Sequence, residues 1–175
     1  MANFETSLAA VLHHEGGYVD DPDDSGGATN MGITHATLAA WRKREVNRGE
    51  VKDLTEAEAG EIYKANYWDK LLLDEVQSQA LAEAVMDMGV NAGVGTAARL
   101  LQMAVNWLVK SELLQTDGWI GPVTVRAVNG STERLLLQKF FELRVKHYMA
   151  ICRNNKSQRK FLYAWIKRSL DHSGS

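Results

Sequence analysis

Glu15, Asp24 and Thr29 are the residues of this chain whose types and spacing suit acid–base chemistry. They are two carboxyl groups and a hydroxyl inside the stretch HHEGGYVDDPDDSGGATNMGIT, residues 13–34. Cleavage of a glycosidic bond needs one protonated carboxyl to protonate the leaving oxygen. It also needs a second group that positions water or stabilises the cationic sugar. Glu15 suits the first role. It closes a run of Phe4, Leu8, Val11, Leu12 and Glu15 along one helix face, and Gly16 and Gly17 follow as helix stops. Partial burial and the negative end of the helix dipole both favour the protonated form there. The plain alternative is a last-turn glutamate pointing to water. Asp24 and Thr29 follow across a Gly-rich turn and suit the second role. Asp20, Asp21, Asp23 and Asp24 are also natural turn formers, and at least two of the four are expected to serve that way.

Other chemistries fit less well. Asp21, Asp23, Ser25 and Gly26 imitate the start of a calcium-binding loop, but Pro22 interrupts it and its twelfth position is Gly32 instead of glutamate. His14-Glu15 lacks the second histidine of a zinc protease helix, and the five His and one Cys have no ligand spacing. No metal or organic cofactor is expected. Three residues are candidates for substrate binding. Tyr18 suits stacking on a sugar or covering Glu15, and equally a core position. Trp68 lies past a helix end, where exposure is expected. Asn91 stands one turn after Asp87 and suits either an N-acetyl group or loop backbone. Tyr63 is assigned to the core. Trp119, Gly121 and Pro122 make a rigid turn, structural or wall-facing.

The elements that must position these residues are mostly helices. Asn3 suits the cap of the first helix and Thr34 that of a second reaching Trp41 and Arg44. Thr55-Glu56-Ala57-Glu58 reads as a capping box opening a helix to about Tyr67. Further helices are expected over about 78–90, with Leu81, Val85 and Met88 on one face, and over 96–110. Pro122 opens a short helix, a long one runs from Ser131 to about Asn154, and a basic one covers about 157–170. Thr29, Met31 and Ile33 alternate with Asn30, Gly32 and Thr34, enough for a small ribbon. The expected fold class is mostly α, with one irregular segment after the first helix. Residues 1–95 are read as the catalytic region and 96–175 as a helical region packed on it.

Length and composition fit one compact unit of this kind. The chain has 175 residues, 45% hydrophobic and 24% charged. Cys152 excludes an internal disulfide and reads as a buried thiol. The N-terminus has no basic region before an apolar core, so no signal peptide is expected. Charge is uneven: residues 1–132 carry 10 basic against 19 acidic side chains, and residues 133–175 carry 10 against 3. The basic end suits an anionic wall or membrane surface, or simply a solvated helix face; its apolar side (Phe161, Leu162, Trp165, Ile166) suits docking on the body. A nucleic-acid binder is disfavoured by the overall charge of −2.

The segment EGGYVDDPDDSGGATNMGIT closely resembles the signature of glycoside hydrolase family 108, N-acetylmuramidases found as phage endolysins and in bacteria. The matching positions are Glu15, Gly16, Gly17, Tyr18, Pro22, Asp24, Gly26, Gly27, Thr29, Gly32, Ile33 and Thr34. IYKANYWDK and MDMGVNAG resemble the family's next blocks. DGWIGPVTVRAV and FLYAWIKR resemble its C-terminal peptidoglycan-binding region, with Ala164 where a glycine often precedes the Trp. The resemblance implies a lysozyme-like fold and cleavage of the β-1,4 bond between N-acetylmuramic acid and N-acetylglucosamine, with Glu15 as proton donor and no cofactor. It also implies a monomer made in the host cytoplasm that reaches the wall through a lesion made by a separate protein. The rivals are a lytic transglycosylase, which forms a 1,6-anhydro product, and a non-catalytic wall-binding or secretion-activating protein.

Overall fold

The computed structural model describes residues 1–20 and 27–171. Among these residues the chain forms nine α-helices and one two-stranded ribbon, the mostly α class expected from the sequence. The backbone packs as two units, residues 8–66 and residues 1–7 together with 67–175.

In the unit of residues 8–66, α1 (Phe4–His14) enters from the N-terminus, with its first turn capped by the Asn3 side chain, which accepts from the Thr6 N–H at 2.9 Å. The helix stops one residue before Glu15, and Gly16 adopts a positive φ of 31°. The expected small ribbon forms over the alternating segment. β1 (Thr29–Asn30) and β2 (Ile33–Thr34) are antiparallel, with Met31 and Gly32 forming the turn between them. Both turn residues have positive φ, which a two-residue hairpin with the right-handed strand twist demands. Thr29 also pairs with Val19 on its outer side.

Then come α2 (His35–Arg42), capped by Thr34, α3 (Arg48–Lys52) and α4 (Glu56–Tyr63). Thr55 caps α4 through the Glu58 N–H as expected, but the box is not closed, because the Glu58 carboxylate is gripped by Arg42 at 2.6 and 2.8 Å. The complete capping box lies at Asn47 and Glu50 of α3, where the sequence reading places no helix. The apolar core of this unit holds Val11, Ile33, Leu38, Val51, Ile62 and Tyr63.

Arg42 also pairs with Glu50, which Arg44 meets as well. The Arg44 hydrogen bond and the Asn47 N–H hold the Glu50 carboxyl at about 2, below the ordinary 4.5. Arg42 holds Glu58 below its ordinary value too. A lowered carboxyl contributes stability above its ordinary value and loses that contribution as pH falls through the folded one. Melting temperature of the wild type is therefore expected to fall between pH 4.5 and about 2, and Glu50→Gln to flatten that fall while melting lower at pH 7. Thermal melts of the two proteins across this range would check it; parallel curves would contradict the assignment.

The other unit is built on α5 (Gln79–Ala92), α6 (Val94–Val109) and α8 (Glu133–Asn154). Ser78 caps α5, and its expected face of Leu81, Val85 and Met88 is buried. Pro122 sits in the first turn of α7 (Pro122–Asn129), and α9 (Leu162–Asp171) follows a short 3₁₀ segment. Cys152 is buried as expected. The basic C-terminal helix docks through its apolar side: the Trp165 ring stacks on buried Tyr148 at 5.0 Å between centroids. No helix among the described residues is long and apolar enough to cross a membrane.

Candidate active site

Glu15 stands one residue beyond the end of α1, half-buried, with its N–H bonded to the carbonyls of Val11 and Leu12 at 3.1 and 3.3 Å. Its carboxyl group lies against the tip of the ribbon. A Cβ on Gly32 would come within 2.7 Å of Glu15 Oε2 and 2.9 Å of its Cγ, and it would collide with the Tyr63 hydroxyl. Gly32 is therefore required twice, by a φ of 73° and by the acid and phenol pressed against it. The buried Tyr63 donates from its hydroxyl to the Met31 carbonyl at 2.9 Å, so α4 holds the turn that the acid faces.

The ribbon is fixed from its other side. Asn30 is buried, and its amide donates to the carbonyls of Val51 and Lys52 at the end of α3, at 3.1 and 3.0 Å. Thr29, its neighbour in the strand, points to the opposite face of the ribbon and is half-exposed. Its N–H and carbonyl are both used in pairing with Val19 at 2.8 Å. The site thus brings Glu15 and the ribbon that carries Thr29 together. Asp24 lies outside the described residues, as do Asp21, Asp23, Ser25 and Gly26.

Tyr18 is half-buried and donates to Asp20 Oδ2 at 3.3 Å, and Asp20 pairs with Arg48 at 3.2 Å. Removal from water and the Asp20 carboxylate hold the Tyr18 phenol above its ordinary value, so it is a neutral hydroxyl at neutral pH.

The other two expected substrate contacts lie in the unit of residues 1–7 and 67–175. Trp68 is not exposed as expected. The chain continues past α4 in a π turn (Lys64–Trp68) and a 3₁₀ turn, and the indole ends fully buried. It packs edge-on against Phe4 and donates to Asp74 at 2.7 Å, so it is a core residue and not a sugar contact. Asn91 donates to the Asp87 carbonyl at 2.9 Å. The Asp87 carboxylate is fully buried and belongs to two arginines, Arg144 at 2.6 Å and Arg168. No group of three or more potential metal ligands occurs among the described residues.

The sequence reading missed Gly32, Asn30 and the hydroxyl of Tyr63 as parts of the site. A signal was there for the first: a glycine in Asn30-Met31-Gly32, between β-branched residues, marks a tight hairpin turn. Gly32→Ala is expected to cost about 1–2 kcal/mol for the left-handed backbone alone. By displacing Glu15 it should lower activity about 100-fold, the cost of a misplacement near 1 Å. Melting and initial rates, measured on the same preparation, would separate the two effects.

A mostly α domain with an acid where its first helix meets a small ribbon is lysozyme-like. Residues 8–93 match the family model described as glycosyl hydrolase 108, and residues 96–170 match that of a predicted peptidoglycan domain. Among solved structures, the chain is similar to that of Brucella abortus SagA, with 33% identity and a TM-score of 0.72, covering 98% of this chain and 96% of that one. No curated protein matches it. The chain belongs to the glycosyl hydrolase 108 family. It is a glycoside hydrolase that acts on peptidoglycan.

Proposed function

We propose that the chain is an N-acetylmuramidase of endolysin type that hydrolyses the β-1,4 bond between N-acetylmuramic acid and N-acetylglucosamine. Glu15 gives its proton to the glycosidic oxygen as the bond from the muramic acid C1 to that oxygen breaks. Water adds to C1 and loses a proton to a carboxylate. Asp24, with the Thr29 hydroxyl, positions that water or stabilises the cationic sugar. Tyr18 is the proposed sugar contact in the unit that carries Glu15, and Asn91 is the proposed sugar contact of the other unit. The observation that carries this reading is the half-buried Glu15 carboxyl at a helix C-terminus, pressed against the turn at Gly32. In an endolysin the protein would be made in the host cytoplasm, act as a monomer and reach the wall through a lesion made by another protein.

Digestion of purified peptidoglycan, with products identified by mass spectrometry, tests the reaction. Fragments ending in reducing N-acetylmuramic acid are expected. Fragments ending in the 1,6-anhydro sugar would make the enzyme a lytic transglycosylase, and reducing N-acetylglucosamine ends would place the cut at the other bond. Binding to the wall without any soluble fragment would make the chain a non-catalytic protein.

A further inference from the structure

In the loop between α6 and α7 a buried amide holds up an exposed indole. Gln102 of α6 is 2% exposed, and it spends its whole side chain on this loop. It donates to Asp117 Oδ1 at 2.8 Å and to the Trp119 carbonyl at 2.9 Å, and accepts from the Gly118 N–H at 3.1 Å. Asp117 Oδ1 accepts from the Trp119 N–H at 2.9 Å as well. The ring has its own seat. A Cβ at Gly121 would run into the six-membered ring, so the indole lies directly on the Gly121 backbone. Gly121 has a φ of −123°, which any residue adopts; the glycine is needed for room and not for conformation.

The outcome is a rigidly placed tryptophan that is 67% exposed. Burying so large an apolar ring would stabilise the fold, and this loop leaves it in water. It is not alone: Leu113 and Val123 are more than half exposed and line a shallow cavity of about 170 Å³ with Trp119, Asp117 and the buried Thr124. Hydrogen bonds from the Gln102 amide and the Trp119 N–H hold the Asp117 carboxyl below its ordinary value, so it is charged at neutral pH. A flat apolar face beside a fixed carboxylate matches an N-acetylated sugar, which offers an apolar ring face and an amide N–H. The cavity lies within residues 96–170, the segment that matches the predicted peptidoglycan domain.

We propose that Trp119 is the stacking platform of a non-catalytic site for the glycan strand of peptidoglycan, with Asp117 facing the sugar's amide N–H. The site is separate in sequence from Glu15 and does not depend on which bond the enzyme cuts.

Co-sedimentation of the full chain with insoluble peptidoglycan tests this in the Glu15→Gln background, where little wall is consumed. Trp119→Ala is expected to weaken binding about tenfold, the scale of one lost aromatic contact in affinity terms. Trp119→Phe should retain most of the affinity, and Gly121→Ala, which unseats the ring, should fall between the two. Melting temperature checks that each variant is folded; an exposed ring should leave it unchanged. The same order on glycan strands stripped of their peptides is expected for a sugar platform. Wild-type binding by folded Trp119→Ala would overturn the proposal, as would a difference that vanishes on the stripped strands, because the ligand would then be the peptide. Neither readout needs cleavage, so a failed muramidase assignment would leave the result interpretable.

Discussion

Glu15→Gln is expected to lower turnover on purified peptidoglycan about 10²–10⁴-fold, the range a positioned general acid contributes. The amide keeps the size and shape of the acid but has no proton to give to the leaving oxygen. The protein should fold as before. Glu15 follows the C-terminal end of α1, where the helix dipole opposes a negative charge, so a neutral side chain loses no favourable field there. A variant that melts with the wild type and releases no fragments would assign the proton to Glu15. Activity within a factor of about three, too small to be the loss of a general acid, would remove it from the mechanism.

The second large effect concerns stability. Asp87 on α5 is completely buried between Arg144 of α8 and Arg168 of α9. Removing its charge leaves two guanidinium groups facing a neutral partner in a dry interior. Breaking a buried pair in this way costs about 3–5 kcal/mol. For a chain of this length that is a fall of about 6–20 °C in melting temperature for Asp87→Asn. Asp87→Leu with Arg144→Met, an apolar pair of similar bulk, is expected to recover part of the loss, since matched apolar replacement is far less costly than an orphaned charge. Melts of the two variants measure this directly. An Asp87→Asn protein that melts with the wild type would mean that water reaches the cluster. If instead rate is lost with melting unchanged, Asp87 would belong to the substrate site.

Residue by residue, the sequence by itself determined most helix starts and stops, which local spacing and local chemistry control. Asn3, Thr34, Thr55 and Ser78 cap the helices that follow them, because a cap is made within one turn of chain. The place of Glu15 at the end of an apolar face, followed by helix-stopping glycines, needs only the 3.6-residue period. The E-G-G-Y and G-I-T segments carry the family by themselves. What only the tertiary structure decided is which distant group each side chain meets. Glu58 reads as the closing half of a capping box and is taken by Arg42, 16 residues earlier. Asp87 reads as a helical neighbour of Asn91 and finds its partners 57 and 81 residues away. Trp68 passes from expected surface to core because a π turn and a 3₁₀ turn rotate the chain away from the α-helical period. Gly32 reads as one residue of a strand and is the turn on which Glu15 and Tyr63 close. Periodicity assigns a residue to a face; only the packed chain assigns that face its neighbour, since burial and charge pairing act between segments that sequence distance does not relate.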